Sequence, residues 1–332
     1  MPDARLQTLD LPVFRQRLPW WGPDLQTMRG VMVKCRAPLE LYRQERLFIP
    51  LNDGSGDTLS AMLGRPRADA SRPLVVLIHG LTGLEDSFYM RESAAHFLSQ
   101  GYPVLRLNLR GAGRSRPLCS TQYNAGSSGD LARLFAALPG NLAARGLTAV
   151  GYSLGGNLLL KYLGERGGEV RLKAAAVVSA PLDLAATARR LGGWRNHFYQ
   201  RYLLHYMKAE AVAPGVALSP AEHEAVMGAR SVWEFDRVYS ARRAGFKGVE
   251  DYYASASSGQ FLPGIVVPTL LLHARDDPWV PDEPYDAVDW KQHPNLRPVL
   301  TARGGHVGYH GQGGAAWHDQ AIARFFAALN PS

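Results

Sequence analysis

The chain has 332 residues, 46% of them hydrophobic, enough for one large α/β domain or two ordinary ones around a sizeable core. No apolar run approaches the roughly 18 residues that span a bilayer. The N-terminus MPDARLQTLDLPVFRQRLPWW lacks the basic-then-apolar layout of a secretory signal, and the two cysteines, Cys35 and Cys119, form neither a disulfide framework nor a metal-ligand spacing, so the expected setting is a reducing cytoplasm. The formal charge is +8, and all but six of the 37 basic residues are arginine. They are scattered and belong to no recognisable module, which argues against nucleic acid as a partner and leaves anionic small molecules or peripheral membrane contact.

In chain order, residues 1–44 read as an N-terminal arm packing on the core. For its Trp20-Trp21 pair, packing on a neighbouring segment, touching a membrane and bridging subunits are alternatives. Residues 45–50 and 58–63 flank the turn-rich LNDGSGD and predict a hairpin. Short apolar runs follow at 73–80, 102–111, 147–153, 173–181, 267–277 and 297–306, with helical stretches at roughly 86–100, 129–138, 154–165 and 315–329. Strands alternating with helices predict an α/β fold: about eight strands, mostly parallel, with helices on both faces and the hairpin at an antiparallel edge. The core then comprises 45–181 and 263–332. Residues 182–262 contain no buried strand and are too many for a plain loop. They predict a helical cap insertion over the carboxyl ends of the strands, where ligands of α/β sheets bind. Its aromatics, such as Trp194, Phe198, Tyr199 and Trp233, would either line a pocket or pack the insertion's own core.

Gly151-Tyr152-Ser153-Leu154-Gly155 fits G-x-S-x-G, a weak signal alone. Here a strand precedes the serine and a helix follows it, the setting of a nucleophile elbow. A serine hydroxyl needs a base, and the base an orienting acid. Among ten histidines, His306 follows the last strand in GGHVGYHGQGG, with His310 its nearest rival. The acid is expected at the end of strand 267–277, where Asp277 is preferred for its D-P-W-V-P spacing and Asp276 is the alternative. The order Ser, Asp, His is that of α/β-hydrolases. Two backbone N–H groups should hold the oxyanion: Leu154, at the start of the helix, and Leu81, in HGLTG. His79 sits at the strand end and is assigned to holding that loop. The glycine-rich NLRGAGRS (108–115) reads as a structural turn and not a dinucleotide fingerprint.

PWWGPDLQT (19–27), HGLTGLEDSFYMR (79–91), LRLNLRGAGRS (105–115), GYSLGGNLLLKYLGE (151–165), ARDDPWVP (274–281) and GGHVGY (304–309), in order along nearly the whole chain, resemble the YheT-like α/β-hydrolases. The resemblance implies a Ser153–Asp277–His306 triad and hydrolysis of carboxylic, short- to medium-chain acyl, esters without metal or organic cofactor. Some relatives carry an H-x-x-x-x-D acyltransferase-like motif. No histidine here has aspartate five residues on, which lowers support for a dedicated acyltransferase. A thioesterase or acyltransferase would use the same triad. A catalytically silent lipid-binding protein on the same fold is the rival from another class.

Overall fold

Every side chain of Leu74–Ile78 is buried because each face of this strand meets a different layer. Leu74, Val76 and Ile78 join the core on one side of the sheet. Val75 and Leu77 join the core on the other. The same alternation divides Ala175 and Val177 from Ala174, Ala176 and Val178. That is why the sequence shows continuous apolar runs and not an every-second pattern.

The computed structural model describes residues 9–35, 37–67 and 71–329. The first eight and last three positions of the outer segments named above lie outside them. Eight strands form one sheet: β1 (Arg43–Pro50), β2 (Thr58–Arg65), β3 (Leu74–Ile78), β4 (Val104–Leu107), β5 (Leu147–Tyr152), β6 (Leu172–Val178), β7 (Thr269–Ala274) and β8 (Leu296–Thr301). Their order is β1-β2-β4-β3-β5-β6-β7-β8. The expected hairpin is present, with β1 antiparallel to β2 and β2 antiparallel to β4; every pair from β4 to β8 is parallel. Leu131, Leu134 and Phe135 of Ser128–Ala137, with the apolar side of Leu154–Arg166, cover one face. Phe88–Ser99 and Trp317–Leu329 cover the other, through Phe97, Phe325 and Phe326.

Between β6 and β7 the chain is helical: Leu184–Gly192, His197–Ala211, Pro220–Gly228, a run over 232–243 and Val249–Ala256. Ser219 and Glu222 form a reciprocal capping box at the third of these. The run over 232–243 contains a π-helical turn at Asp236–Ser240, which sequence periodicity does not announce. These helices have two apolar clusters of their own. Leu81 touches both, and Leu154 belongs to one, so the helical segment sits over the loops at the carboxyl ends of β3 and β5.

NLRGAGRS folds as the structural turn expected of it. Arg110 reaches Asp130 through Nε (2.9 Å) and Nη2 (2.6 Å), Asp57 through Nη1 (2.6 Å) and Asp53 through Nη2 (2.5 Å). Burial disfavours its charge, but the three carboxylates outweigh that and raise its pKa. Asn108 accepts the Glu85 amide at 2.9 Å and donates to the Glu85 carboxylate at 2.9 Å, tying the turn to the loop after β3.

Candidate active site

Ser153 lies between β5 and the helix Leu154–Arg166 with φ 51° and ψ −121°, a backbone conformation costly for any residue with a Cβ. The neighbouring chain leaves it little choice. Its N–H donates to the Val178 carbonyl (2.9 Å), and its carbonyl accepts from Gly156 and Asn157 (2.8 and 3.1 Å). The flanking glycines are close approaches. A Cβ on Gly151 would stand 2.5 Å from the Gly155 oxygen, one on Gly155 2.5 Å from the Ile78 oxygen, and one on Gly156 2.8 Å from the Ala180 Cβ. Gly155→Ala is therefore expected to destabilise the fold by about 3 kcal/mol through backbone overpacking, read as a lower urea midpoint. An unchanged midpoint would contradict this packing.

His306 Nδ1 is 2.8 Å from Asp277 Oδ2, and its Nε2 is 2.9 Å from Ser153 Oγ. A carboxylate only accepts, so Nδ1 carries the proton and Nε2 of the neutral ring accepts the serine hydroxyl. Asp277 is fully buried, and its Oδ1 accepts the N–H groups of Trp279 (2.8 Å) and Val280 (3.0 Å). Burial pushes this carboxyl up, yet the positive charge of the His306 ring when it is protonated and its hydrogen bond, then His273 and the Val280 N–H, hold it below the usual range. Asp276 faces elsewhere. Its Oδ1 accepts the Gly305 N–H at 2.9 Å, so it shapes the loop that carries His306 without touching the ring. Trp279 stacks on His306 with ring centroids 4.3 Å apart.

The loop after β3 approaches the serine because Gly80 has no side chain; a Cβ there would lie 3.0 Å from the Ser153 Cβ. Around Leu81 the amides are engaged. Gly80 N–H donates to Tyr89 OH (3.0 Å), Thr82 N–H to Tyr123 OH (2.8 Å) and Gly83 N–H to the Gly80 carbonyl (3.1 Å). Among the described residues, the N–H groups of Leu81 and Leu154 have no such acceptor. Both residues border the same cavity as Ser153 and His306. His79 holds this loop as the sequence suggests: its Nδ1–H donates to the Gly80 carbonyl (2.8 Å), and its Nε2 accepts the Leu109 N–H (3.1 Å). Burial lowers its pKa to about 4, so it is neutral. His310 does not approach Ser153. Its backbone bonds Gln26, and its ring Nδ1 lies 3.4 Å from Arg29 Nη1.

The cavity has a volume of about 790 Å³, in the range of small-molecule sites. Leu191, Leu203, Met207, Phe235 and Tyr253 supply much of its apolar wall. The four aromatics singled out in the sequence do not. Trp194 and Phe198 are 91% and 84% exposed and neither line the cavity nor pack the insertion. Tyr199 is buried, bonding Asp24 through its hydroxyl (2.8 Å), and Trp233 packs edge-on to Tyr253. The buried stripe of His197–Ala211 is Tyr199, Leu203 and Met207, one turn apart, which turns Phe198 outward.

The sequence also left the arm's role open, and the helix Pro23–Met32 proves to brace the His306 loop. Thr27 Oγ1 accepts the His306 N–H at 2.9 Å, and Gln26 bonds both the N–H (2.6 Å) and the carbonyl (3.0 Å) of His310. Ser179 Oγ, from the end of β6, accepts the Val307 N–H at 3.1 Å. The only sequence signal was the Gly-Pro helix start within PWWGPDLQT; nothing local links it to a loop some 280 residues away. Thr27→Val strands the His306 amide, at an expected cost of roughly 1–3 kcal/mol. Activity should fall about tenfold, in kcat more than KM, since a small misplacement of a catalytic group is costly. Wild-type steady-state kinetics in the variant would contradict this bracing.

The sheet, the strand–serine–helix bend and the histidine loop define an α/β hydrolase, and residues 73–311 match the family model of the alpha/beta hydrolase fold. Within that fold the chain belongs to the YheT-like family: it is 31% identical over 302 residues to YheT of Escherichia coli, covering 89% of this chain and 86% of that one. It is likewise 31% identical over 284 residues to medium-chain fatty acid ethyl ester synthase/esterase 2 of Saccharomyces cerevisiae, covering 78% of this chain but only 62% of the yeast protein. Mouse phospholipase ABHD3 is 30% identical over 295 residues, covering 87% of this chain and 71% of its own length. The fold is shared with the Pyrococcus furiosus esterase Pf2001, at a TM-score of 0.58 and 16% identity over 96% of this chain and 98% of that one.

Proposed function

We propose that this chain is a serine carboxylic-ester hydrolase acting on short- to medium-chain acyl esters through an acyl-enzyme. The observation that carries the reading is the pair of hydrogen bonds at His306, whose Nε2 accepts the Ser153 hydroxyl (2.9 Å) while its Nδ1–H donates to Asp277 (2.8 Å), beside two unengaged backbone N–H groups among the described residues. The names of the yeast and mouse relatives, an ester synthase/esterase and a phospholipase, support acyl-ester chemistry.

In this mechanism His306 Nε2 takes the Ser153 proton as Oγ bonds to the ester carbonyl carbon. The carbonyl π pair moves onto oxygen, and the N–H groups of Leu81 and Leu154 hold that oxyanion, aided by the N-terminal end of the helix Leu154–Arg166. Collapse of the tetrahedral species breaks the bond to the alkoxy oxygen, which leaves as the alcohol with the proton from His306. Water, activated by His306, then attacks the acyl-enzyme, and the acid departs as Ser153 regains its proton. Asp277 holds the imidazole in the Nδ1–H tautomer and stabilises its charged form. The apolar wall supplied by Leu191, Leu203, Met207 and Phe235 would receive the acyl chain.

The yeast relative's name as both synthase and esterase favours a second outcome at the same site, with an alcohol replacing water. A p-nitrophenyl ester series of rising chain length, followed with and without added ethanol, tests both. Hydrolysis that peaks at short to medium chains supports the proposal, and flat, enzyme-independent rates oppose it. Diversion of product to ethyl ester establishes the transfer branch; its failure removes that branch alone.

A further inference from the structure

Trp194 and Phe198 are 91% and 84% exposed, four residues apart at the start of one helical segment. An indole and a phenyl ring held this far into water bury almost nothing on folding. Around them the chain is basic. From residue 184 to 209 there is no aspartate or glutamate, while Arg189, Arg190, Arg195, Arg201 and Lys208 are all present. Arg189 and Arg201 are exposed without a carboxylate partner among the described residues. Arg195 alone of the three exposed arginines is paired, with Asp24 of the N-terminal arm at 2.9 Å. Exposed aromatics on a segment whose own charges are all basic, with Asp24 of the arm the one carboxylate paired to it among the described residues, complement an anionic lipid surface, where the rings enter the headgroup layer and the unpaired arginines meet phosphate.

The position of this surface matters as much as its composition. Asn196 donates to the Pro278 carbonyl at 2.7 Å, and Arg190 donates to the Asp277 carbonyl at 3.1 Å, so the segment is fastened to the loop that carries Asp277 itself. The Asp24–Arg195 pair joins it to the arm helix, whose far end carries Val31, Met32 and Val33. These three are 54%, 61% and 36% exposed and also border the cavity, which marks them as its opening.

We propose that Trp194 and Phe198, with Arg189 and Arg201, form a docking surface for anionic phospholipid bilayers that places the opening at Val31–Val33 beside the membrane. Docking does not depend on catalysis, so it stands or falls separately from the esterase reading. Neither ring touches the cavity, and their exposure lets both be changed without disturbing the fold.

The test is sedimentation of the full chain with vesicles of phosphatidylcholine containing 30 mol% phosphatidylglycerol, against pure phosphatidylcholine, at low and high salt. The wild type is expected to bind the anionic vesicles, more weakly as salt rises. W194S/F198S should weaken that binding at least tenfold, and R189Q/R201Q should remove most of its salt dependence. Both variants should hydrolyse p-nitrophenyl butyrate within twofold of the wild type. Absence of wild-type binding to anionic vesicles, or binding that survives W194S/F198S, would overturn the proposal. So would a wild-type dimer that W194S/F198S converts to monomer without any vesicle binding, because the surface would then be covered by a second copy of this chain.

Discussion

Ser153→Ala is expected to lower kcat for ester hydrolysis by about 10⁵- to 10⁶-fold, the scale on which loss of a nucleophile acts when base and acid work only through it. The residual rate should come from substrate binding and the Leu81 and Leu154 donors, which do not need the hydroxyl. The fold should persist. Alanine has the same Cβ as serine, so it meets the same strain at φ 51°, and the bonds that fix this bend run from the backbone to Val178, Gly156 and Asn157. The check is steady-state kinetics paired with a thermal melt: a large loss in kcat with an unchanged melt. A loss below about tenfold would mean that another group attacks the ester.

Asp277→Asn should lower kcat by about 10⁴-fold, and Asp276→Asn by less than tenfold. The contrast arises because the two neighbours face different partners. Asp277 Oδ2 accepts the His306 Nδ1 proton, and its Oδ1 is fixed by the Trp279 and Val280 amides. An asparagine there would keep its carbonyl oxygen on those two N–H groups and turn its NH₂ toward His306. That NH₂ can pair only with an unprotonated Nδ1, leaving Nε2 protonated and unable to take the serine proton. Asp276 accepts one loop amide, from Gly305, and an asparagine oxygen can do the same. Equal losses in the two variants, or the reverse order, would displace Asp277 from its assigned role.

The fold was readable where burial on both faces leaves an unambiguous mark. Leu74–Ile78, Leu147–Tyr152 and Leu172–Val178 are short, apolar and bounded by turn residues, so the sheet followed from them. Ser153, Asp277 and His306 were readable because each ends or follows a strand, and parallel strands deliver such ends to one edge of the sheet. The helical insertion was harder. WRNHFYQRYLLHYMK has rings on every side of its helix, so sequence alone does not say that Tyr199, Leu203 and Met207 point inward while Phe198 points out. Packing against Leu81, Met28 and Trp279 decides it, and all three are distant in sequence. The arm was harder still. Thr27 and Gln26 look like ordinary helix residues, and their bonds to His306 and His310 exist only once the two ends of the chain are brought together. Tyr89 and Tyr123 were hidden for the same reason: their hydroxyls matter for which amides they occupy around Leu81.

The central claim is that Ser153 is a nucleophile activated by His306. Its most direct measurement is covalent labelling of the folded protein with a fluorophosphonate probe, followed by peptide mass spectrometry. The account predicts a single adduct on Ser153, abolished by Ser153→Ala and strongly slowed by His306→Ala. No adduct on the folded wild type, or equal labelling of the Ser153→Ala variant, would contradict it.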